Sequence, residues 1–381
     1  MRIENVNVFC DDGAFRKGAV AFNDVITGVE FDREEAQQPA QSGQERENSD
    51  ADPYLVPGLV DIHTHGAVHG DHSDGSPELM QEMGAFYAKN GVTSFLATTM
   101  TYGEEKLVRA MQNISGYQRR ENGARCAGVN MEGPFLSYEK RGAHAPEYLT
   151  PPDIPMFERL NKASGNLIRI VSVAPETPGA MGFICDASQV CKVALAHSAA
   201  GYDTAMEAFG NGATQVTHLF NAMNPFLHRD PGMIGAAMDA RAYVEIISDG
   251  VHLHPAVVRA VFNMYPDRVC LISDSIRSAG LPDGAYESGG MPIIVKEGKA
   301  TLKDGTIAGS NVSLMQCVRT AVGFGVPLEK ALAAATINNA RAIGMEDRLG
   351  SLRPGAFADM ALLDGGLNIQ KVYIGGNEII F

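Results

Sequence analysis

Two histidines one residue apart, His63 and His65, close an apolar stretch that reads PYLVPGLVDIHTHG from Pro53 to Gly66. In an extended strand the side chains alternate faces with a period of two, so both imidazoles point the same way. Two imidazoles on one face at a strand end make a clip for a divalent metal, although His-x-His by itself is met equally at ordinary surface strand ends. Four later stretches shift that balance. Glu132 in VNMEGPF, His197 in LAHS, His218 in THLFNAM and Asp274 in SDS each follow an apolar run. Imidazole and carboxylate ligands without thiolate suit Zn²⁺, Fe²⁺, Mn²⁺ or Co²⁺. An open position on such an ion lowers the pKa of a bound water to about 7 and polarises a substrate carbonyl. Asp274 is then the general base, taking the water's proton and returning it to the leaving nitrogen.

These residues need a frame that brings five strand ends to one place. Strands are expected at 55–65, 92–99, 126–132, 167–174, 192–197, 213–218, 242–249 and 268–274, with amphipathic segments between them. Ser76 before Pro77 and Glu78 reads as a helix N-cap with proline at the first helical position, and Asn90-Gly91 closes that helix. Eight alternating units imply an α/β fold, a parallel (β/α)₈ barrel of the TIM type, whose functional groups sit at the C-terminal ends of the strands. Side-chain parity aims Asn130 and Glu132 inward, alternating with Val129 and Met131. Beyond the eighth strand, 276–309 carries glycine-rich hairpin signals, and helices are expected at 312–324 and 327–343, the second opened by Pro327. Both chain ends show short strands and turns, which predicts one small sheet domain built from 1–53 and 345–381 beside a barrel domain of 54–344. The polar stretch 32–52 reads as a surface loop or linker.

The net charge of −14 argues against nucleic acid or an anionic membrane as partner. An anionic substrate would need a local basic pocket working against that field. Six scattered cysteines without C-x-x-C spacing read as reduced thiols packed as small hydrophobes. No run is long enough to span a bilayer, so a cytoplasmic protein is expected. No phosphate-binding G-x-x-x-x-G-K-[ST] loop is present, and no nucleotide or organic cofactor is expected.

Further motifs carry a resemblance. MEGPF at 131–135, GAHAPE at 142–147, LAHS at 195–198, THLFNAMNP at 217–225, HRDPG at 228–232, SDGVHL at 248–253 and SDS at 273–275 run in the order found in N-acetylglucosamine-6-phosphate deacetylases. The chain resembles that family, part of the amidohydrolase superfamily, from about Leu55 to its end, including the tail RLGSLRPGAFADMALL, and the resemblance implies that the domain of 1–53 and 345–381 is a small β-sandwich appended to the barrel. The resemblance implies that Glu132, His197 and His218 hold a principal divalent metal, Zn, Fe or similar. It further implies that His63 and His65 hold a second ion bridged by Glu132, so that each subunit carries one or two. Ala143 and His144 would contact the substrate near the scissile amide, where a donor stabilises the developing oxyanion. Asn221 and Ala222 would contact the sugar phosphate, and Ile307, Ala308 and Gly309 would line its pocket. Arg229 and His252 would clamp the phosphate from a partner subunit, implying a homodimer and supplying the positive charge the acidic chain lacks. The implied reaction turns N-acetylglucosamine 6-phosphate into glucosamine 6-phosphate and acetate.

Two other readings stand beside this one. Another N-acetylated amino sugar phosphate such as N-acetylgalactosamine 6-phosphate, or a cyclic amide, would keep the chemistry. The fourth strand, LIRIVSVAPE, lacks the lysine that many cyclic-amide relatives use to bridge metals. A non-catalytic scaffold is disfavoured because every expected ligand and the proton carrier are present. His69, His72, His228 and His254 are read as loop or surface residues.

Overall fold

Eight short apolar strands pair side by side in chain order, all parallel: Leu59–Thr64, Val92–Thr99, Arg125–Met131, Ile168–Val173, Lys192–Leu195, Ala213–Val216, Tyr243–Ile246 and Val269–Leu271. This computed structural model describes residues 1–32 and 52–381, so the polar stretch read as a linker lies almost wholly outside the described residues. The sheet curls until its first and eighth strands meet, where the Asp274 amide donates to the His63 carbonyl at 2.9 Å. The result is the expected TIM-type barrel. Period-two alternation divides each strand between two cores. Phe95 and Ala97 join Met80, Met83, Tyr87 and Leu107 of the outer helices. Val60, Ile62, Leu96, Ile170, Ala194 and Ile272 form an inner cluster with Ala340, Ala342 and Ile343.

The first connecting helix shows the local logic. It runs Pro77–Lys89, with the Ser76 hydroxyl accepting from the Leu79 amide and Pro77 at its first turn. It ends at Asn90, whose side-chain amide donates to the Phe86 carbonyl at 2.8 Å, followed by Gly91 in the left-handed region. No helix among the described residues is long and apolar enough to cross a membrane.

Two expected elements divide. The run 55–65 breaks at Gly58: Tyr54–Pro57 joins the sheet of the chain ends, and Leu59–Thr64 enters the barrel. A Cβ at Gly58 would collide with the Thr93 side chain, so only glycine passes there. The segment 327–343 is two helices, Leu328–Ala335 and Ile337–Ala342, parted at Thr336, whose hydroxyl bonds back to the Leu332 carbonyl at 2.7 Å. This break turns Asn339 to the barrel's seam. Its buried side-chain amide donates to the Val60 carbonyl at 2.6 Å and the Leu271 carbonyl at 2.8 Å, tying strand one to strand eight. Replacing Asn339 by Leu strands both acceptors, and is expected to cost roughly 2 kcal/mol or more. Urea denaturation checks this as a lower midpoint at unchanged slope.

The chain ends contribute Arg2–Phe9, Phe15–Phe22, Ile26–Phe31, Tyr54–Pro57, Met360–Leu363, Ile369–Ile374 and Asn377–Glu378 to one seven-stranded sheet. Phe22 and Tyr373 lie four strands apart in it, about 19 Å if the sheet were flat. Their rings are nevertheless 5.7 Å apart, so the sheet folds over on itself around Val6, Val20, Leu55 and Met360. A separate three-stranded antiparallel sheet, Gly284–Ser288, Met291–Lys296 and Lys299–Thr301, delivers the loop that follows it to the barrel's mouth.

Candidate active site

Each predicted ligand stands at the end of a barrel strand or just past it, and at three of them the backbone turns sharply. His197, His218 and Asp274 have φ of 44°, 28° and 47°, a left-handed conformation that costs a non-glycine residue roughly 1–3 kcal/mol and is retained where the surroundings impose it. The first strand uses another device. Asp61 pairs with Phe95 and Thr64 with Ala97, so the first strand takes three steps where its neighbour takes two. This bulge lets His63 face Glu132 and Glu245 across the barrel while Thr64 bonds outward to Tyr87 at 3.1 Å.

The six side chains converge as two triads. Nε2 of His218 lies 3.1 Å from Glu132 Oε1 and 3.1 Å from His197 Nε2, and His197 Nε2 lies 3.3 Å from the same oxygen. Nε2 of His63 and of His65 are 3.4 Å apart, with Asp274 Oδ1 at 3.5 and 3.3 Å from them. The other Glu132 oxygen, Oε2, reaches this second triad, 3.0 Å from His65 and 3.4 Å from His63. One carboxylate thus serves both groups.

Atoms about 2.1 Å from a common tetrahedral centre lie about 3.4 Å from one another, so each triad has the spacing of a metal's ligand face. The charges agree. Burial alone would raise the Glu132 carboxyl, yet the His63 charge and hydrogen bonds from His144, His197 and His218 hold it well below the usual carboxylate range. Burial also opposes ionisation of Asp274, but the His65 hydrogen bond and the His63 and His65 charges bring it down to about 2. Burial would depress His65, which its bonds to Asp274 and Glu132 push up to about 9. His63 is likewise raised, against burial, by the charges of Glu132 and Glu245. Burial and the neighbouring His144 charge lower His197 to about 4. Fixed carboxylates here call for positive charge, and both triads, all six residues buried, are able to hold a divalent metal.

A cavity of about 450 Å³ opens on these groups. Ala143, His144, Asn221, Ala222, His252, Ile307, Ala308 and Gly309 line it, together with His65, Glu132, His197, His218 and Asp274. His144 is set by Thr101, 2.8 Å from its Nδ1, with its ring edge-on to His197. The Asn221 amide holds the His218 and Leu219 carbonyls at 3.2 and 3.3 Å and so shapes the turn after His218. One expectation is revised: His252 lines the cavity of its own chain, fixed by Asp249 Oδ2 at 2.7 Å from its Nδ1. Arg229 is exposed beside His228 and does not line this cavity.

The family sequence model for amidohydrolases matches residues 54–379. The chain belongs to the amidohydrolase family. Among its relatives, this amidohydrolase is 36% identical to the N-acetylgalactosamine-6-phosphate deacetylase of Escherichia coli O157:H7, over 86% of this chain and 88% of that one. It is 33% identical to the N-acetylglucosamine-6-phosphate deacetylase of Bacillus subtilis, over 98% and 96%. A solved structure of the N-acetyl-D-glucosamine-6-phosphate deacetylase of Mycobacterium smegmatis, a mutant in complex with N-acetyl-D-glucosamine-6-phosphate, superposes with a TM-score of 0.89 at 32% identity, covering 100% of this chain and 99% of that one.

The amidohydrolase site also uses residues that the sequence reading passed over. Lys140 and Arg141 bring positive charge to the cavity wall, and the Lys140 carbonyl sits 2.9 Å from His197 Nδ1. Glu245 lies 2.9 Å from His63 Nδ1; an acid inside the apolar run AYVEII was its only signal. His72 is no surface residue. It is buried against Phe95 with Nε2 3.1 Å from the Tyr87 hydroxyl, and burial followed by the His65 charge brings it down to about 3, a neutral core imidazole. His69, His228 and His254 are exposed as expected.

Proposed function

We propose that this amidohydrolase removes the acetyl group of N-acetyl-D-glucosamine 6-phosphate, giving D-glucosamine 6-phosphate and acetate, with two divalent ions per subunit. The single observation that carries the reading is Glu132, which turns one carboxylate oxygen to each of two ligand triads beneath a cavity of about 450 Å³, large enough for one sugar phosphate. Divalent ions bound there would lower the pKa of water and polarise the amide carbonyl. The chain's own residues do the rest. Asp274, ionised and the more exposed of the two site carboxylates at the cavity (side chain 10% against 2% for Glu132), accepts the attacking water's proton at Oδ and delivers it to the departing nitrogen. Amide plus water becomes acetate plus the protonated amine, both of the water's hydrogens ending on that nitrogen, and Asp274 ends as it began. His144, held by the Thr101 hydroxyl 2.8 Å from its Nδ1, has Nε2 3.5 Å from Glu132 Oε2, placed to serve as a donor to the developing oxyanion.

The phosphate meets His252, Lys140 and Arg141 of its own chain, and Arg229 reaches it from a second copy, which makes the working unit a homodimer. A doubly charged sugar does not cross a bilayer unaided, so the reaction belongs in the cytoplasm. The 36% identity to the E. coli enzyme supports a second reading, the galactosamine epimer as substrate. Comparing kcat/KM on both epimers, with and without phosphate, tests all three points. The glucosamine epimer is expected to be preferred, and loss of phosphate or Arg229→Ala to cost roughly 10- to 100-fold, as for a charged hydrogen bond. Indifference to phosphate would remove the clamp; preference for the other epimer would transfer the activity to it.

A further inference from the structure

Four histidines belong to the two triads, and their far ring nitrogens are treated differently. His197 Nδ1 meets a neutral backbone carbonyl, that of Lys140, at 2.9 Å. His65 Nδ1 and His218 Nδ1 have no hydrogen-bond partner among the described residues. His63 Nδ1 alone meets a carboxylate, Glu245 Oε2 at 2.9 Å, and both side chains are 0% exposed. A carboxylate shut inside a barrel is costly unless something compensates it. The second oxygen of Glu245 has no partner among the described residues, so its hydrogen bonding is spent on His63.

We propose that Glu245 is the positioning residue of the second metal group: its charge and its acceptor oxygen commit His63 to the tautomer whose Nε2 is free to ligate, and so set the affinity of the His63–His65–Asp274 triad and not that of Glu132–His197–His218. The inference rests on the reading that both triads hold metal. With the hydrogen on Nδ1 donated to Glu245, the Nε2 lone pair points at His65 Nε2, Asp274 Oδ1 and Glu132 Oε2, between 3.4 and 3.5 Å away. The negative charge behind the ring makes that nitrogen a stronger donor, as carboxylates behind metal-ligating histidines do. Among the described residues no carboxylate stands behind His197 or His218 in this way, so the effect falls on one group alone. The position in the fold agrees: Glu245 belongs to the seventh barrel strand, which supplies no ligand of its own.

The test is metal stoichiometry and affinity rather than rate. The full chain, stripped by chelation, is titrated with Zn²⁺ against a competing indicator and its bound metal counted, as wild type, Glu245→Gln and Glu245→Leu. Gln keeps the acceptor and loses the charge; Leu loses both. Wild type is expected to bind two ions, and Glu245→Leu to bind the first unchanged and the second about 10- to 100-fold more weakly, with Glu245→Gln between them. A two-site isotherm in Glu245→Leu matching wild type, equal weakening of both sites, or a wild type that binds one ion would each overturn the proposal. Should Glu245→Leu fail to fold, Glu245→Gln decides: weakening confined to the second site supports the proposal and an unchanged isotherm overturns it. A wild type that binds two ions yet fails to deacetylate the sugar phosphate would refute the functional reading and leave this one standing.

Discussion

Asp274→Asn is expected to lower kcat by about 10²- to 10⁴-fold, the range associated with losing a proton carrier in the transition state, while the protein keeps its fold and at least one ion. The substitution is nearly isosteric, and the backbone around it is held independently of the carboxylate. The Asp274 amide donates to the His63 carbonyl at 2.9 Å, and its own carbonyl accepts from the Ser310 amide at 2.8 Å. What asparagine cannot do is take a proton at Oδ and give it up again. Because Asp274 Oδ1 also stands within 3.5 Å of both His63 and His65, the variant should bind the second ion less tightly. The assay therefore runs at saturating metal with bound metal counted alongside. A kcat near wild type under those conditions would mean that the proton travels by another route.

Why so much of this site can be read from the sequence, and why some cannot, follows from the range over which each feature is encoded. Strand runs and the residues ending them are local. His63, His65, Glu132, His197, His218 and Asp274 each follow an apolar stretch within one strand's length, and the barrel's symmetry gathers them without further information. Features that depend on a second segment are not local. The first-strand bulge exists only against Phe95 and Ala97, and Gly58 matters only because Thr93 stands beside it. Glu245 is a buried carboxylate whose purpose lies 182 residues away at His63. His72 has the same character: its neighbours in sequence are polar, and its burial comes from Phe95 and Tyr87. The parting of 327–343 at Thr336 also escapes a local reading, because helix periodicity continues across it. Its cause is the docking of Asn339 onto two strands far apart in the chain.

Removing the metal should silence the enzyme and reveal a pH dependence that the loaded protein lacks. The polarisation supplied by bound ions is worth several kcal/mol, so exhaustive chelation is expected to lower the rate by about a thousandfold or more, with recovery when a divalent ion is returned. In the metal-free protein His65 is pushed from its ordinary 6.5 up to about 9 by Asp274 and Glu132, overcoming burial. A raised folded-state pKa stabilises below the unfolded value, and that contribution is lost as pH climbs through the folded value. The thermal midpoint of the stripped protein should therefore fall between about pH 6.5 and about 9. The loaded protein should show no such decline, because cations then balance the carboxylates at every pH in that window. The same proton must leave before His65 can ligate. Metal uptake at pH 7 should thus acidify an unbuffered solution, and affinity should rise with pH as His65 loses its proton. His197, already neutral at pH 7 because it is lowered to about 4, contributes nothing to that release. Metal uptake at pH 7 without proton release would mean that the carboxylates find their positive charge elsewhere, and the pairing of His65 with Asp274 and Glu132 would have to be redrawn.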